Sequence, residues 1–166
     1  MRADNCSESA KLKPVVPLTS DFSALRTAVN ALDPSGNTNI TVGVQWGMEA
    51  LSAAYPLQGA NADKRTKRIM IVLTDGENTE NRWDNSSNSG AIDDRTKLAC
   101  SNAKAIKNED GTVLELYTIR VIEGNDSLLK SCATDAGHYY SVTNANELSA
   151  VFQDIAERVK RLRIVS

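Results

Sequence analysis

Long apolar runs, aromatic rings, histidine and a strong charge bias are all scarce in this sequence, and each scarcity excludes a class of protein. No stretch approaches the roughly 20 consecutive apolar residues of a membrane-spanning helix, so no segment reads as a membrane span. The opening residues, Met1-Arg2-Ala3-Asp4-Asn5-Cys6-Ser7-Glu8-Ser9, contain no apolar run and do not form a secretory signal. A net charge of -2, from 19 basic and 21 acidic residues, is too near neutral for a nucleic-acid partner, which needs a clustered basic face. The two dense basic runs, Lys64-Arg65-Thr66-Lys67-Arg68 and residues 158–163, read as solvated faces. A single histidine, His138, and three cysteines without a C-x-x-C pair provide no zinc spacing. Cys6, Cys100 and Cys132 leave two readings open: three reduced thiols, or one disulfide with one thiol left over in an oxidising compartment.

What is present suits one soluble domain. The 166 residues are 41% apolar and 24% charged, enough to bury a real core. Residues 1–13 read as a polar tail and 14–166 as the domain. Pro14-Val15-Val16-Pro17-Leu18 suits a connector or edge, because proline cannot donate within a sheet. Thr19 or Ser20 then caps a helix with Phe22, Leu25, Val29 and Leu32 on one stripe, ended by the turn Asp33-Pro34-Ser35-Gly36-Asn37. Asn39 or Thr41 opens a second helix carrying Val44, Met48 and Leu51 on one face, with Trp46 nearby, stopped at Tyr55-Pro56. Ile69-Met70-Ile71-Val72-Leu73 shows no alternation, the pattern of a parallel strand covered on both faces. Residues 78–90 form a polar loop around Trp83. Asp93 or Asp94 opens a third helix with Leu98, Cys100, Ala103 and Ile106. After the turn Asn108-Glu109-Asp110-Gly111 come a strand at 113–121, a short helix at about 127–134 and a strand at 139–142. Asn144 and Glu147 form a capping-box pattern, and the last helix lines up Leu148, Val151, Phe152, Ile155, Val159 and Leu162.

Alternating strands and helices imply an α/β, Rossmann-like fold: a mostly parallel sheet with helices on both faces. Three convincing strands are fewer than such a sheet usually has. The expectation is an incomplete sheet, or one completed by another chain.

Two segments can carry chemistry. Ligands of open α/β sheets gather beyond the carboxyl ends of the strands. Asp75 stands there, followed by Gly76 and Glu77, and its carboxylate is a hard oxygen donor suited to Mg²⁺. The plainer alternative is a turn-capping aspartate. Upstream, Gly36-Asn37-Thr38-Asn39-Ile40 leads into a helix and can present amides and a hydroxyl to an anion or hydrated metal. It lacks the Gly-Lys-Ser/Thr of a phosphate-binding loop, and its plainer alternative is a helix entry.

Gly36-Asn37-Thr38-Asn39-Ile40 before a helix, followed some thirty residues on by an apolar strand ending in Leu73-Thr74-Asp75-Gly76, resembles the von Willebrand factor A-type (vWA) family from about Val15 to Leu162. The resemblance implies a metal-ion-dependent adhesion site of three loops: D-x-S-x-S, a threonine and an aspartate. Thr38 and Asp75 match the second and third. Gly36, Asn37, Asn39, Gly76 and Glu77 then belong to the ligand loops. The D-x-S-x-S loop is absent: Asp21-Phe22-Ser23 reads better as a helix start, and Asp84-Asn85-Ser86 follows no strand. The chain therefore resembles the carboxyl-terminal portion of a vWA domain, its first strand and helix missing, with any Mg²⁺ held weakly or not at all.

A narrower likeness, to envelope proteins of tight-adherence (Tad) pilus systems, rests on several segments. They are Val16 to Asp21, Gly43-Val44-Gln45-Trp46-Gly47, Leu51-Ser52, Thr74 to Asn78, Cys100 with Lys104, Tyr117-Thr118-Ile119, Leu128 to Ala133 and the terminal helix. It implies a Cys100–Cys132 disulfide, a membrane-anchored parent, a periplasmic or extracellular location and a protein partner. The expected function is a non-enzymatic binding module of pilus assembly. The alternatives are a metal-independent scaffold that oligomerises through open strand edges and, less favoured, a phosphohydrolase using Asp75. The last lacks the lysine partner and the constellation of groups that catalysis needs.

Overall fold

A computed structural model of the chain describes residues 13–33, 36–57, 66–81, 89–107 and 111–161. The polar tail before Lys13, Cys6, Pro34-Ser35, Lys64-Arg65, Trp83, Asp84-Asn85-Ser86, Asn108-Glu109-Asp110 and Leu162 lie outside the described residues. The elements run α1 (Phe22–Asn30), α2 (Ile40–Ala50), β1 (Ile69–Thr74), α3 (Ser89–Lys104), β2 (Glu115–Val121), α4 (Asp126–Cys132), β3 (Tyr139–Val142) and α5 (Leu148–Arg161). The three strands form a parallel sheet in the order β1-β2-β3, with Ile71 opposite Tyr117 and Ile119 opposite Tyr140. Parallel neighbours need a crossover, and α3 and α4 supply them.

One face of the sheet packs against α2, α3 and α4. Met70 and Leu116, paired in register, meet Val44, Cys100, Ala103, Leu128 and Cys132 there. Cys100 and Cys132 are joined by a disulfide (Sγ–Sγ 2.07 Å) that ties α3 to α4 inside this core. One turn further along α3, the Lys104 ammonium donates to the carbonyls of Ser131 (2.8 Å) and Ala133 (3.0 Å), which the end of α4 leaves without helical partners. The opposite face carries Tyr117, Ile119, Val121 and Val142 beneath Ile155 of α5, with Leu148, Val151 and Val159 around them. Tyr140 of β3 donates to Asp154 of α5 at 2.5 Å and pins the helix to the strand, while Arg158, one turn on in α5, also donates to Asp154 at 3.0 Å. His138 is part of this framework: its Nδ1 lies 2.7 Å from an Asp135 oxygen and its ring packs on Tyr117, 4.4 Å between centroids.

Several expectations are corrected. β1 is not covered on both faces: Met70 and Thr74 are buried, whereas Ile71 is 38% and Leu73 46% exposed. The reason is that the core under α5, built on β2 and β3, takes in only the half-buried Ile69 at the start of β1, and β1 has no second strand neighbour among the described residues. The α1 stripe is likewise uncovered, with no buried residue in the helix. Its cap is Asp21, whose side chain accepts from the Ala24 amide, so Asp21-Phe22-Ser23 is a helix start and Thr19 only supports Asp21. α3 starts at Ser89, ahead of Asp93, and turns Leu98 outward while Ile92, Thr96 and Ala99 face the core. Phe152 is also largely exposed. Asn144 caps a 3-10 turn at Ala145–Glu147, and the Glu147 carboxylate pairs with Thr143 instead of closing a capping box.

Candidate ligand face at the carboxyl edge of the sheet

Thr74 ends β1 buried, and its hydroxyl donates to the Gly76 carbonyl (3.0 Å) and accepts from the Gly76 amide (3.2 Å). That turn sends the chain off the sheet and leaves Asp75 exposed at its carboxyl edge. No hydrogen bond or ion pair engages the Asp75 or Glu77 carboxylate among the described residues. Thr74 shapes the turn, for Gly76 does not adopt a positive φ. The glycine that matters here is Gly124, at φ +117, where a Cβ would stand 3.3 Å from the Gly76 carbonyl oxygen. The two loops after β1 and β2 thus approach closely, and the positive φ of Gly124 there is one that a residue with a side chain rarely adopts.

The segment before α2 is fastened to the loop after β1. Gly36 turns at φ +86. Beyond it, the Thr38 carbonyl accepts from the amides of Thr79 (2.9 Å) and Glu80 (3.0 Å), and the Thr38 amide donates to the Thr79 hydroxyl (2.9 Å). The Asn37 amide group donates to the Glu80 carboxylate and that of Asn39 to the Glu80 carbonyl, each at 2.8 Å. These bonds set the Thr38 hydroxyl against the Asp75-Gly76 turn, 3.6 Å from where a Gly76 Cβ would lie. The tertiary structure therefore brings together the two segments that carry Thr38 and Asp75.

Two of the amides at the start of α2 are taken up within the protein. Asn39 is the cap, accepting from the Val42 amide at 3.2 Å, and the Ile40 amide donates to Asn78 Oδ1 at 2.8 Å. Thr41 and Thr96 share a 2.7 Å hydroxyl contact beneath them. Sequence reasoning missed the residues that hold the face together. Asn78, 2% exposed, also donates to Asp93 Oδ1 and to the Thr96 hydroxyl, and Asn125 donates to Asp93 Oδ2. Asn125 had a local signal, an Asn before a helical Leu-Leu pair. Nothing in the neighbourhood of Asn78 marks it as buried.

For a divalent cation, the face offers the Asp75 carboxylate and the Thr38 hydroxyl, oxygen donors of the right hardness. Among the described residues, no group of three His, Cys, Asp or Glu side chains gathers to hold a metal. The residues present fit part of a coordination shell and leave the rest to water or other groups.

An open parallel sheet with helices packed on both faces defines an α/β domain of Rossmann-like type. The von Willebrand factor type A domain model matches residues 6–154, and the chain belongs to that family. Among solved structures, proximal thread matrix protein 1 from the mussel byssus, with a zinc-occupied MIDAS motif, superposes with a TM-score of 0.55 at 17% identity, covering 82% of this chain and 28% of that one. The open conformation of the pilus adhesin SpaC from Lactobacillus rhamnosus GG gives 0.55 at 16% identity, covering 82% and 21%. The conserved hypothetical protein BatB from Bacteroides thetaiotaomicron gives 0.52 at 20% identity, covering 87% and 73%. The likenesses show a shared fold, and this chain spans under a third of the mussel protein and of the adhesin. No curated protein sequence matches it. Domains of this family are generally non-enzymatic protein-interaction modules.

Proposed function

We propose that this chain is the ligand-bearing part of a protein-binding adhesion module in a bacterial cell-envelope protein, with a Tad-like role in pilus assembly. The observation that carries the reading is the exposed Asp75, in the turn against which the bonds between residues 37–39 and 79–80 hold the Thr38 hydroxyl. In the intact domain, Thr38 and Asp75 would hold a Mg²⁺, with Gly36, Asn37, Asn39, Gly76 and Glu77 around it. The ion would supply an electrophilic point for a partner's carboxylate. The parent protein is proposed to be membrane-anchored, with this domain on the periplasmic or extracellular side. An outward-facing location is in keeping with two proteins of similar fold, one a pilus adhesin and the other a thread matrix protein of the mussel byssus. Among the described residues no helix is long and apolar enough to cross a membrane.

The test is calorimetric titration of Mg²⁺ and Mn²⁺ into the full-length protein and its Asp75→Ala variant. Binding lost on substitution is the expected result; absence of binding, or binding that Asp75→Ala leaves intact, rejects the metal mechanism.

One observation favours a second reading, a metal-independent scaffold that associates through its sheet. The outer edge of β1 has no strand partner among the described residues, and Ile71 and Leu73 beside it are exposed. Such an edge is a template for another strand. A strict monomer by light scattering at all concentrations would remove this alternative.

A further inference from the structure

Beneath the candidate face, the half-buried Asp93 of α3 links segments that are distant in sequence. Its Oδ1 accepts from Asn78 Nδ2 at 2.7 Å and its Oδ2 from Asn125 Nδ2 at 2.8 Å. Each asparagine turns its own oxygen to a backbone amide at the start of a helix: Asn78 to Ile40 of α2 (2.8 Å) and Asn125 to Leu128 of α4 (3.1 Å). The chain of bonds from the Ile40 amide through Asn78, Asp93 and Asn125 to the Leu128 amide is unbroken. An ionised carboxylate accepts at both oxygens, whereas an asparagine in its place would present an amino group to one of the two donors. No buried side-chain nitrogen or oxygen among the described residues lacks a partner, so this cluster has no slack to absorb such a change.

We propose that Asp93 is the positioning residue of the candidate ligand face. It locks the segment before α2, the loop after β1 and the loop after β2 into one unit, so that a ligand engaging Thr38 or Asp75 also reorders the start of α4. Thr38 is bonded to Thr79 and Glu80, and Gly124 stands against Gly76, so neither flanking loop can shift without the central one. The inference rests on the carboxyl edge being the ligand face, although its test needs no ligand.

Amide hydrogen exchange by NMR on this chain supplies the test. Asp93→Asn is expected to speed exchange at Ile40, Thr79, Glu80 and Leu128 by about tenfold or more, the scale of one lost charge-assisted bond. Ile119 and Val121 in the sheet should be unaffected. Asn125→Ala should accelerate Ile40, Thr79 and Glu80 as well, although Asn125 is not bonded to them, and should add nothing in an Asp93→Ala background. An Asn125→Ala effect confined to Leu128, or uniform acceleration across the sheet in Asp93→Asn, overturns the proposal. Mg²⁺ titration of the full-length protein separates the two ideas. Coupled loops with no cation binding keep Asp93 as the positioning residue and reject the metal reading; cation binding with uncoupled loops does the reverse.

Discussion

At Ile122, directly after β2, a β-branched residue holds a φ of 63°, a region that suits glycine and crowds any side chain branched at Cβ. Its side chain is 54% exposed, so burial offsets little of that cost. The conformation is held locally and from outside: the Glu123 amide donates to the Val121 carbonyl at 2.6 Å, closing a tight turn around Ile122, and the Ile122 amide donates to the Val142 carbonyl at 2.7 Å. Ile122→Gly is expected to raise stability by about 1 kcal/mol, read as a higher urea midpoint with unchanged slope. A lower midpoint would show that the side chain contributes more than its backbone costs. Residue-scale features of this kind were only partly legible in sequence. Asp75 and Thr38 stood out because a strand end and a helix entry frame them. Asn78 and Asp93 did not, because their roles depend on partners 15 to 38 positions away.

Among the elements, α4 depends most on its attachments. It has seven residues, too short to be stable alone, and is held by its buried leucines, the Cys100–Cys132 disulfide and the Lys104 ammonium at its carboxyl end. The disulfide joins positions 32 apart, and closing a loop of that length removes roughly 3–4 kcal/mol of unfolded-state freedom. A Cys100→Ala/Cys132→Ala double variant should lose stability on that scale in chemical denaturation; a loss under about 1 kcal/mol would mean that packing alone holds α4. The attachment of α5 has a pH signature. Burial, and then the hydrogen bond to Asp154, push the Tyr140 hydroxyl up to about 12 from its ordinary 10. Because the folded value is the higher one, this contribution is complete below pH 10 and is lost as pH rises toward 12. Stability should decline through that window, less steeply in Tyr140→Phe; identical profiles would show that the tyrosine bond does not hold the helix. Helix periods and caps made these elements readable in sequence, but Leu98 and Phe152 were placed on the wrong side. A stripe identifies a face, while only the neighbouring layer decides how much of it is covered.

For the whole molecule, the open flank of β1 is the dominant feature. On the α5 side of the sheet, Ile69 packs at the edge of the core, whereas Ile71 and Leu73 are left exposed among the described residues. A parallel sheet is ordinarily covered on both sides, so this flank should drive concentration-dependent self-association. Sedimentation velocity is expected to show it, and Ile71→Lys with Leu73→Lys should abolish it, because charge on an edge strand opposes pairing. A monomeric parent chain, or association unchanged in the double variant, would place the contact elsewhere.

Read by itself, the sequence determined the α/β class, the parallel strands at 69–74 and 139–142, a first helix entered near Ser20 and a second at Asn39 or Thr41, and the place of Asp75 beyond a strand. All of these follow from local periods and capping chemistry, which need only a few consecutive residues. The tertiary structure decided what no local window contains. It left Ile71 and Leu73 of β1 exposed, tied the Ile40 amide to Asn78, and gathered Asn78, Asp93 and Asn125 beneath the ligand face. Burial and hydrogen-bond partnership are relations between distant segments, and they exist only once the sheet has set those segments side by side.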